Sequence, residues 1–172
     1  MDLEMTGLNP NTEVIIECAS IVTDYDFQVL ETYETVIKQP QHYLDQMDNW
    51  NKKHHSASGL LDRVPYGKEP KFVEDELLAL LRRHWPVSDK RDDMPLLAGN
   101  SIMQDRIFLD KYCPNLSQKI HYRMLDVTSW KILFNEKYNI RYEKKNSHRA
   151  LDDIRESIEE LKFYLQCTQI EF

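Results

Sequence analysis

The chain has 172 residues, 41% of them apolar and 30% charged, with a formal net charge of −7. That length can bury a core as a single domain, and no apolar run approaches the roughly 18 residues of a membrane span. The negative balance argues against a protein that holds long nucleic acid mainly by neutralising phosphates, but it leaves room for a short anionic substrate held by a few local donors and metal ions.

Cys18, Cys113 and Cys167 are the cysteines of the chain, and none stands in C-x-x-C spacing. An odd, scattered set speaks against a disulfide framework and a zinc site, and for a reducing intracellular compartment. No signal or transit peptide is visible. The chain opens directly on Met1-Asp2-Leu3-Glu4, a strand with one residue before its first acid. Such a strand reads as clipped, so a native extension ahead of Met1 is expected.

In chain order, residues 13–24 are rich in β-branched side chains and predict a buried strand. A turn near Asp24–Asp26 leads to a second strand over 29–38. The period then changes: Leu44, Met47 and Trp50 suit one short helix. Val73, Leu77, Leu80 and Leu81 mark a longer helix that ends near Pro86. Ser88–Asp93 reads as a loop and Pro95–Gly99 as a short strand, with Asn100-Ser101 placed to cap the next helix. Tyr122–Leu125 suits another strand, and helices are expected over 127–137 and 149–166. Strands first, then alternation with helices, predict an α/β fold with a mixed sheet.

The chemistry begins with Asp2 and Glu4. On a strand their side chains share one face. Two adjacent carboxylates repel unless a cation lies between them, and oxygen ligands suit Mg²⁺. Alone, D-x-E occurs on many solvated strands. On a helix over 102–112, Asp105 falls in line with Phe108, Leu109 and Tyr112, so a carboxylate joins the apolar stripe. It serves either the positive end of the helix dipole or a metal at the edge of the core. In the last helix, Ile154, Ile158, Leu161 and Leu165 define the inner side. Asp152 then points to solvent, and Asp153 lies on the flank of Ala150 and Ser157, facing a cleft. A histidine ahead of such an aspartate, here His148, is a candidate general base.

These residues stand in the order D-x-E, a helix-opening aspartate, then H-x-x-x-x-D. The set resembles the histidine-bearing branch of the DEDD exonuclease superfamily. The segments DLEMTGL, MDNWNKKHHSASGL, GNSIMQDRIFLDKY, HYRMLDVTS and SHRALDDIRESIEEL resemble oligoribonucleases over nearly the whole chain. The spellings VIKQP and HRALDDI look most like the eukaryotic members.

The resemblance implies a ribonuclease H-like fold, a mixed β-sheet flanked by helices. It implies 3′→5′ hydrolysis of very short RNA, diribonucleotides above all, to 5′-mononucleotides. Asp2, Glu4, Asp105 and Asp153 would bind two divalent cations, Mg²⁺ or Mn²⁺, about 4 Å apart, and His148 would take the proton of the attacking water. Leu8 and Trp50 match a pair that sandwiches the bases, against the alternative of core packing. His55 matches a histidine near the scissile end. Ser101, Arg123 and Thr128 match a cluster that caps the 5′ phosphate. Tyr122 matches a residue supplied by a partner subunit, which implies a homodimer. A mitochondrial or cytoplasmic location follows from the same likeness. Trp130 and the 87–93 loop depart from the family wording and receive no function. Two alternatives are a superfamily exonuclease for longer RNA or DNA, and a nucleic-acid-binding module without catalysis.

Overall fold

The computed structural model describes residues 1–85, 90–143 and 149–168. His148 and part of the 87–93 loop lie outside the described residues. Three antiparallel strands open the chain: β1 (Asp2–Met5), β2 (Ile15–Thr23) and β3 (Val29–Val36), in the order β1-β2-β3. The β2–β3 hairpin turns where expected. The Asp24 carboxylate accepts the N–H groups of Asp26 and Gln28 at 3.0 and 2.8 Å, a side chain taking over the backbone's bonding in the turn.

The helix expected around Leu44–Trp50 is two. One, α1, spans Gln41–Gln46, and α2 spans Asn49–Ala57. Met47 turns extended between them, and Asp48 starts the second helix by accepting the Asn51 N–H at 2.8 Å. Apolar spacing alone ran across this break because Met47 is buried on the same side as Leu44. A short helix, α3 (Leu60–Arg63), and then α4 (Pro70–His84) follow. In α4, Val73, Leu77 and Leu80 are buried as their spacing predicts, and the helix ends at His84. Residues 91–93 of the expected loop form a single 3-10 turn.

The second half carries β4 (Leu97–Gly99), α5 (Met103–Tyr112), α6 (Pro114–Ser117), β5 (Met124–Asp126), α7 (Val127–Tyr138) and α8 (Ala150–Cys167). β4 and β5 pair in parallel as a separate ladder. The expected mixed sheet is therefore hydrogen-bonded in two pieces. They abut where the Met1 amino group donates to the Ala98 carbonyl at 2.9 Å. Gly99 permits that approach, since a Cβ there would stand 2.8 Å from the Met1 carbonyl oxygen.

The three-stranded sheet is covered on both faces. Leu3, Cys18 and Val22 pack with Val73, Leu77, Leu80, Phe108 and Leu109 of α4 and α5. On the other face Ala19 packs with Ala150 and Ile154 of α8. That second face carries Asp2, Glu4 and Glu17, because Asp2 pairs with Ala19 and Glu4 with Glu17 across the β1–β2 ladder, and directly opposed residues share a face.

Two local expectations fail. Asn100-Ser101 does not cap α5: the helix begins at Met103, and no side chain caps it. Ser101 instead adopts φ 51° and turns its N–H toward Asp126 and Thr128. The inner side of α8 is also rotated from the expected stripe. Ile154 and Leu161 are buried, but Ser157, Glu160 and Tyr164 join them, while Ile158 and Leu165 are half-buried. Paired polar side chains occupy the inner face, which a stripe read from apolar residues alone overlooks.

Candidate active site

β1 presents Asp2 and Glu4 on one face, and the first turn of α8 brings Asp153 onto the same spot. Each offers one carboxylate oxygen, and these atoms all lie within 4.8 Å of one another. The helix-wheel assignment is upheld in this respect. Asp153 faces the sheet acids, whereas Asp152 is 43% exposed and pairs with Arg155 at 3.0 Å.

Asp105 stands in the first turn of α5, 6% exposed. Its Oδ1 accepts the N–H of Leu3 at 2.8 Å, the residue between Asp2 and Glu4. This carboxylate thus bonds the backbone of β1 between the two acids and helps fix the strand that carries them. Among the described residues it is not part of the tight three-carboxylate group.

The electrostatics record the crowding. Burial, and then the charges of Asp2, Glu17, Asp153 and Asp105, push the Glu4 carboxyl up to about 8. Burial pushes Asp105 up to about 6, against the opposing pull of the N-terminal ammonium and the Leu3 N–H bond. A cluster that holds protons at such pH is one in which positive charge is in demand. The donor set is all carboxylate oxygen, which fits a hard divalent cation of the Mg²⁺ or Mn²⁺ class and not a thiolate or imidazole metal.

His55 is buried at 2% exposure in α2. Its Nε2 lies 3.0 Å from the Met5 carbonyl oxygen, and its Nδ1 lies 3.8 Å from Glu4 Oε2. The sequence resemblance put a histidine at the scissile end, and the fold places this one beside Glu4. Leu8 and Trp50 are 71% and 69% exposed, so neither is core. Gln104 holds the Leu8 loop by donating to the Leu8 carbonyl at 2.8 Å. Trp50 stacks on His54, with centroids 4.9 Å apart and planes 7° from parallel.

Ser101 and Thr128 come together: the Ser101 N–H donates to Thr128 Oγ1 at 2.9 Å, and the two hydroxyls are 3.3 Å apart. The Asp126 carboxylate caps α7 by accepting the Thr128 N–H at 2.9 Å and also accepts from Ser101 at 3.0 Å. Arg123 extends over the ring of its neighbour Tyr122, 5.4 Å from the centroid. Tyr122 is 59% exposed and stacks on His121 at 4.6 Å.

Sequence reasoning missed two residues at this site. Asn100 donates to Ser157 Oγ at 2.8 Å and to Glu160 Oε2 at 3.2 Å, tying the start of the Ser101 turn to α8. Glu17 sits opposite Glu4 and is 3% exposed. A carboxylate inside the run VIIECASIV was a visible signal for it; Asn100 left none.

The family described as exonuclease, RNase T, matches residues 1–161. The oligoribonuclease of Francisella tularensis subsp. tularensis strain WY96-3418 is 46% identical over 170 residues, covering 96% of this chain and 92% of the relative. The oligoribonuclease of Coxiella burnetii strain RSA 493 is 46% identical over 168 residues, covering 95% and 90%. Both relatives are bacterial and lend no support to the closer eukaryotic likeness expected from VIKQP and HRALDDI. With the family matched over residues 1–161 and Asp2, Glu4 and Asp153 gathered on one face of the sheet, this chain belongs to the RNase T exonuclease family.

Proposed function

We propose that this chain is a 3′→5′ exoribonuclease that hydrolyses very short RNA, diribonucleotides above all, to 5′-mononucleotides. The observation that carries the reading is the convergence of Asp2, Glu4 and Asp153 within 4.8 Å, in a chain 46% identical to oligoribonucleases. Asp2, Glu4, Asp105 and Asp153 would hold two divalent cations, Mg²⁺ or Mn²⁺. When bound, such a pair supplies activation of a water and stabilisation of charge on the leaving oxygen. His148, whose type titrates near 6.5 when unperturbed, accepts the proton of the attacking water.

The exposed Leu8 and Trp50 receive the bases. Stacking on an indole tolerates any base, which suits a substrate of mixed sequence. His55 orients the scissile end beside Glu4. Ser101, Thr128 and Arg123 cap the 5′ phosphate: the hydroxyls donate to phosphate oxygens, and the guanidinium forks onto them. A cap at that end limits length, because a longer chain must displace it. Tyr122 completes the site of a second copy in a homodimer, a reading supported by its exposure. The free, buried thiols of Cys18 and Cys113 suit a reducing compartment, and we place the protein in the mitochondrion or cytoplasm.

The deciding assay follows 5′-labelled RNA of two and of twenty nucleotides, with Mg²⁺ and with EDTA. Metal-dependent loss of the dinucleotide, faster than loss of the longer chain, is the expected result. Faster turnover of the long chain would assign the site instead to a superfamily exonuclease for longer substrates.

A further inference from the structure

Asn100 follows the last residue of β4 and precedes Ser101. Its side-chain Nδ2 donates to Ser157 Oγ at 2.8 Å and to Glu160 Oε2 at 3.2 Å. Both partners lie on α8 and both are buried. The Ser157 hydroxyl in turn donates to the Asp153 carbonyl at 2.8 Å. A carbonyl only accepts, so the Ser157 hydrogen is committed to Asp153, and the Ser157 oxygen accepts from Asn100. That fixes the orientation of the amide: nitrogen toward α8, oxygen toward Thr128, whose hydroxyl donates to Asn100 Oδ1 at 3.3 Å. Thr128 Oγ1 itself accepts the Ser101 N–H at 2.9 Å.

These bonds run in one direction, from the Ser101 N–H through Thr128, Asn100 and Ser157 to the backbone of Asp153. Hydrogen bonds in series polarise and strengthen one another. Neither end of the series is stiff by itself. Ser101 holds φ 51°, a left-handed conformation that a non-glycine residue keeps where its surroundings enforce it. Asp153 stands in the first turn of α8, and helix ends fray. Asn100 joins the two. It is the chain neighbour of Ser101, so its hold on α8 is a hold on the Ser101 turn, even when a phosphate draws the Thr128 hydrogen away. An amide suits the place because it offers a donor and an acceptor at once. An aspartate of the same shape would set a second carboxylate against Glu160.

We infer that Asn100 is a positioning residue that braces the Ser101 turn against the turn of α8 carrying Asp153, and so fixes the gap by which the site selects RNA of two nucleotides. The inference rests on the proposed reading of both ends, the cap for a 5′ phosphate and the acids for the scissile phosphate. In a 5′-phosphorylated dinucleotide those two phosphates are separated by a set number of bonds. A fixed gap between cap and carboxylates matches that length. A gap free to widen fits it less well and admits a further nucleotide more readily. Misplacement of reacting groups by about 1 Å lowers rate by as much as about a hundredfold, so a modest loosening is enough to erode the preference.

The experiment compares wild type, Asn100→Ala and Ser157→Ala on 5′-phosphorylated RNA of two and of three nucleotides, with Mg²⁺ and well below each melting temperature. The readout is the ratio of kcat/KM for the shorter substrate to kcat/KM for the longer. We expect that ratio to fall about tenfold in Asn100→Ala, chiefly through slower cleavage of the dinucleotide. In Ser157→Ala, where Asn100 keeps its bond to Glu160, it should fall by about threefold. A general loss of folded enzyme lowers both rates together and leaves the ratio alone. A folded Asn100→Ala whose ratio stays within about twofold of wild type therefore overturns the inference, whatever its absolute rates. If Asn100→Ala does not fold, Ser157→Ala decides: a lowered ratio supports the inference and an unchanged one overturns it. A wild-type chain that cleaves the dinucleotide no faster than the trinucleotide overturns the proposed function, and the inference with it. A preference present in wild type and intact in the variants overturns the inference alone.

Discussion

His55 turns its Nδ1 toward Glu4, 3.8 Å from Oε2, while its Nε2 sits 3.0 Å from the Met5 carbonyl oxygen. A carbonyl can only accept, so Nε2 carries the hydrogen. Burial holds the imidazole below its usual range, and the neutral ring then leaves Nδ1 as a lone-pair acceptor facing the acid cluster. Nδ1 is buried with no hydrogen-bond partner among the described residues. A neutral acceptor does nothing to relieve the crowding of carboxylates, so proton or cation must do so.

The Glu4 carboxyl is pushed from 4.5 up to about 8 by burial and then by its acidic neighbours. Between those values the folded chain binds more protons than the unfolded one, so metal-free stability falls as pH rises from about 4.5 to 8. The loss is on the order of a few kcal/mol. Mg²⁺ or Mn²⁺ should reverse it and raise the melting temperature more at pH 8 than at pH 6. Calorimetric titration at pH 7 in buffers of different ionisation enthalpy should show protons released as the ion binds. A metal-free melting temperature that rises from pH 5 to 8 would contradict this account of Glu4.

Asp153→Asn separates stability from function. The substitution removes one of three carboxylates within 4.8 Å, so the metal-free protein should melt higher by about 2–4 °C. The same change removes a charged ligand of the proposed metal site, and Mg²⁺-dependent hydrolysis should fall by about a hundredfold or more. Thermal melts and single-turnover assays on one preparation check both. A variant both less stable and fully active would place Asp153 outside the site.

Trp50 offers a contrasting case. It is 69% exposed and stacks on His54, so Trp50→Ala should change stability by no more than about 0.5 kcal/mol. Loss of a stacking partner costs about 1–3 kcal/mol per base, so KM for a diribonucleotide should rise by roughly tenfold or more with kcat little changed. Unaltered KM would show that the indole receives no base.

The strands and long helices were legible because each carries one dominant period: the β-branched run of β2, and Val73, Leu77 and Leu80 in α4. The joint placement of Asp2, Glu4 and Asp153 was legible for a related reason. Strand alternation fixes the first two on one face, and the helix wheel fixes the third. The break at Met47 was not legible, because its cause is the Asp48 cap bond to Asn51, and an apolar stripe does not register a cap. Nor was the inward turn of Ser157 and Glu160. Their burial depends on Asn100, far away in sequence, which donates to both. Asp105 was legible as a buried acid in a first helical turn, but its bond to the Leu3 N–H required the tertiary fold. His148 lies outside the described residues, and its place rests on the sequence motif.

Thr128 tests the phosphate cap. Its hydroxyl oxygen accepts the Ser101 N–H at 2.9 Å, and Ser101 holds φ 51°, a left-handed backbone that costs a non-glycine residue and persists where surrounding bonds enforce it. Thr128→Ala leaves the Ser101 N–H its bond to the Asp126 carboxylate at 3.0 Å, so the fold should survive with a loss of about 1 kcal/mol. What disappears is one of the two hydroxyls proposed to receive a terminal phosphate. KM for a diribonucleotide bearing a 5′ phosphate should therefore rise by about tenfold, while KM for the same dinucleotide without it should hardly move. Steady-state assays on the two substrates, with wild type and variant side by side, give the comparison. An equal rise for both would mean that Thr128 shapes the Ser101 turn without touching the phosphate.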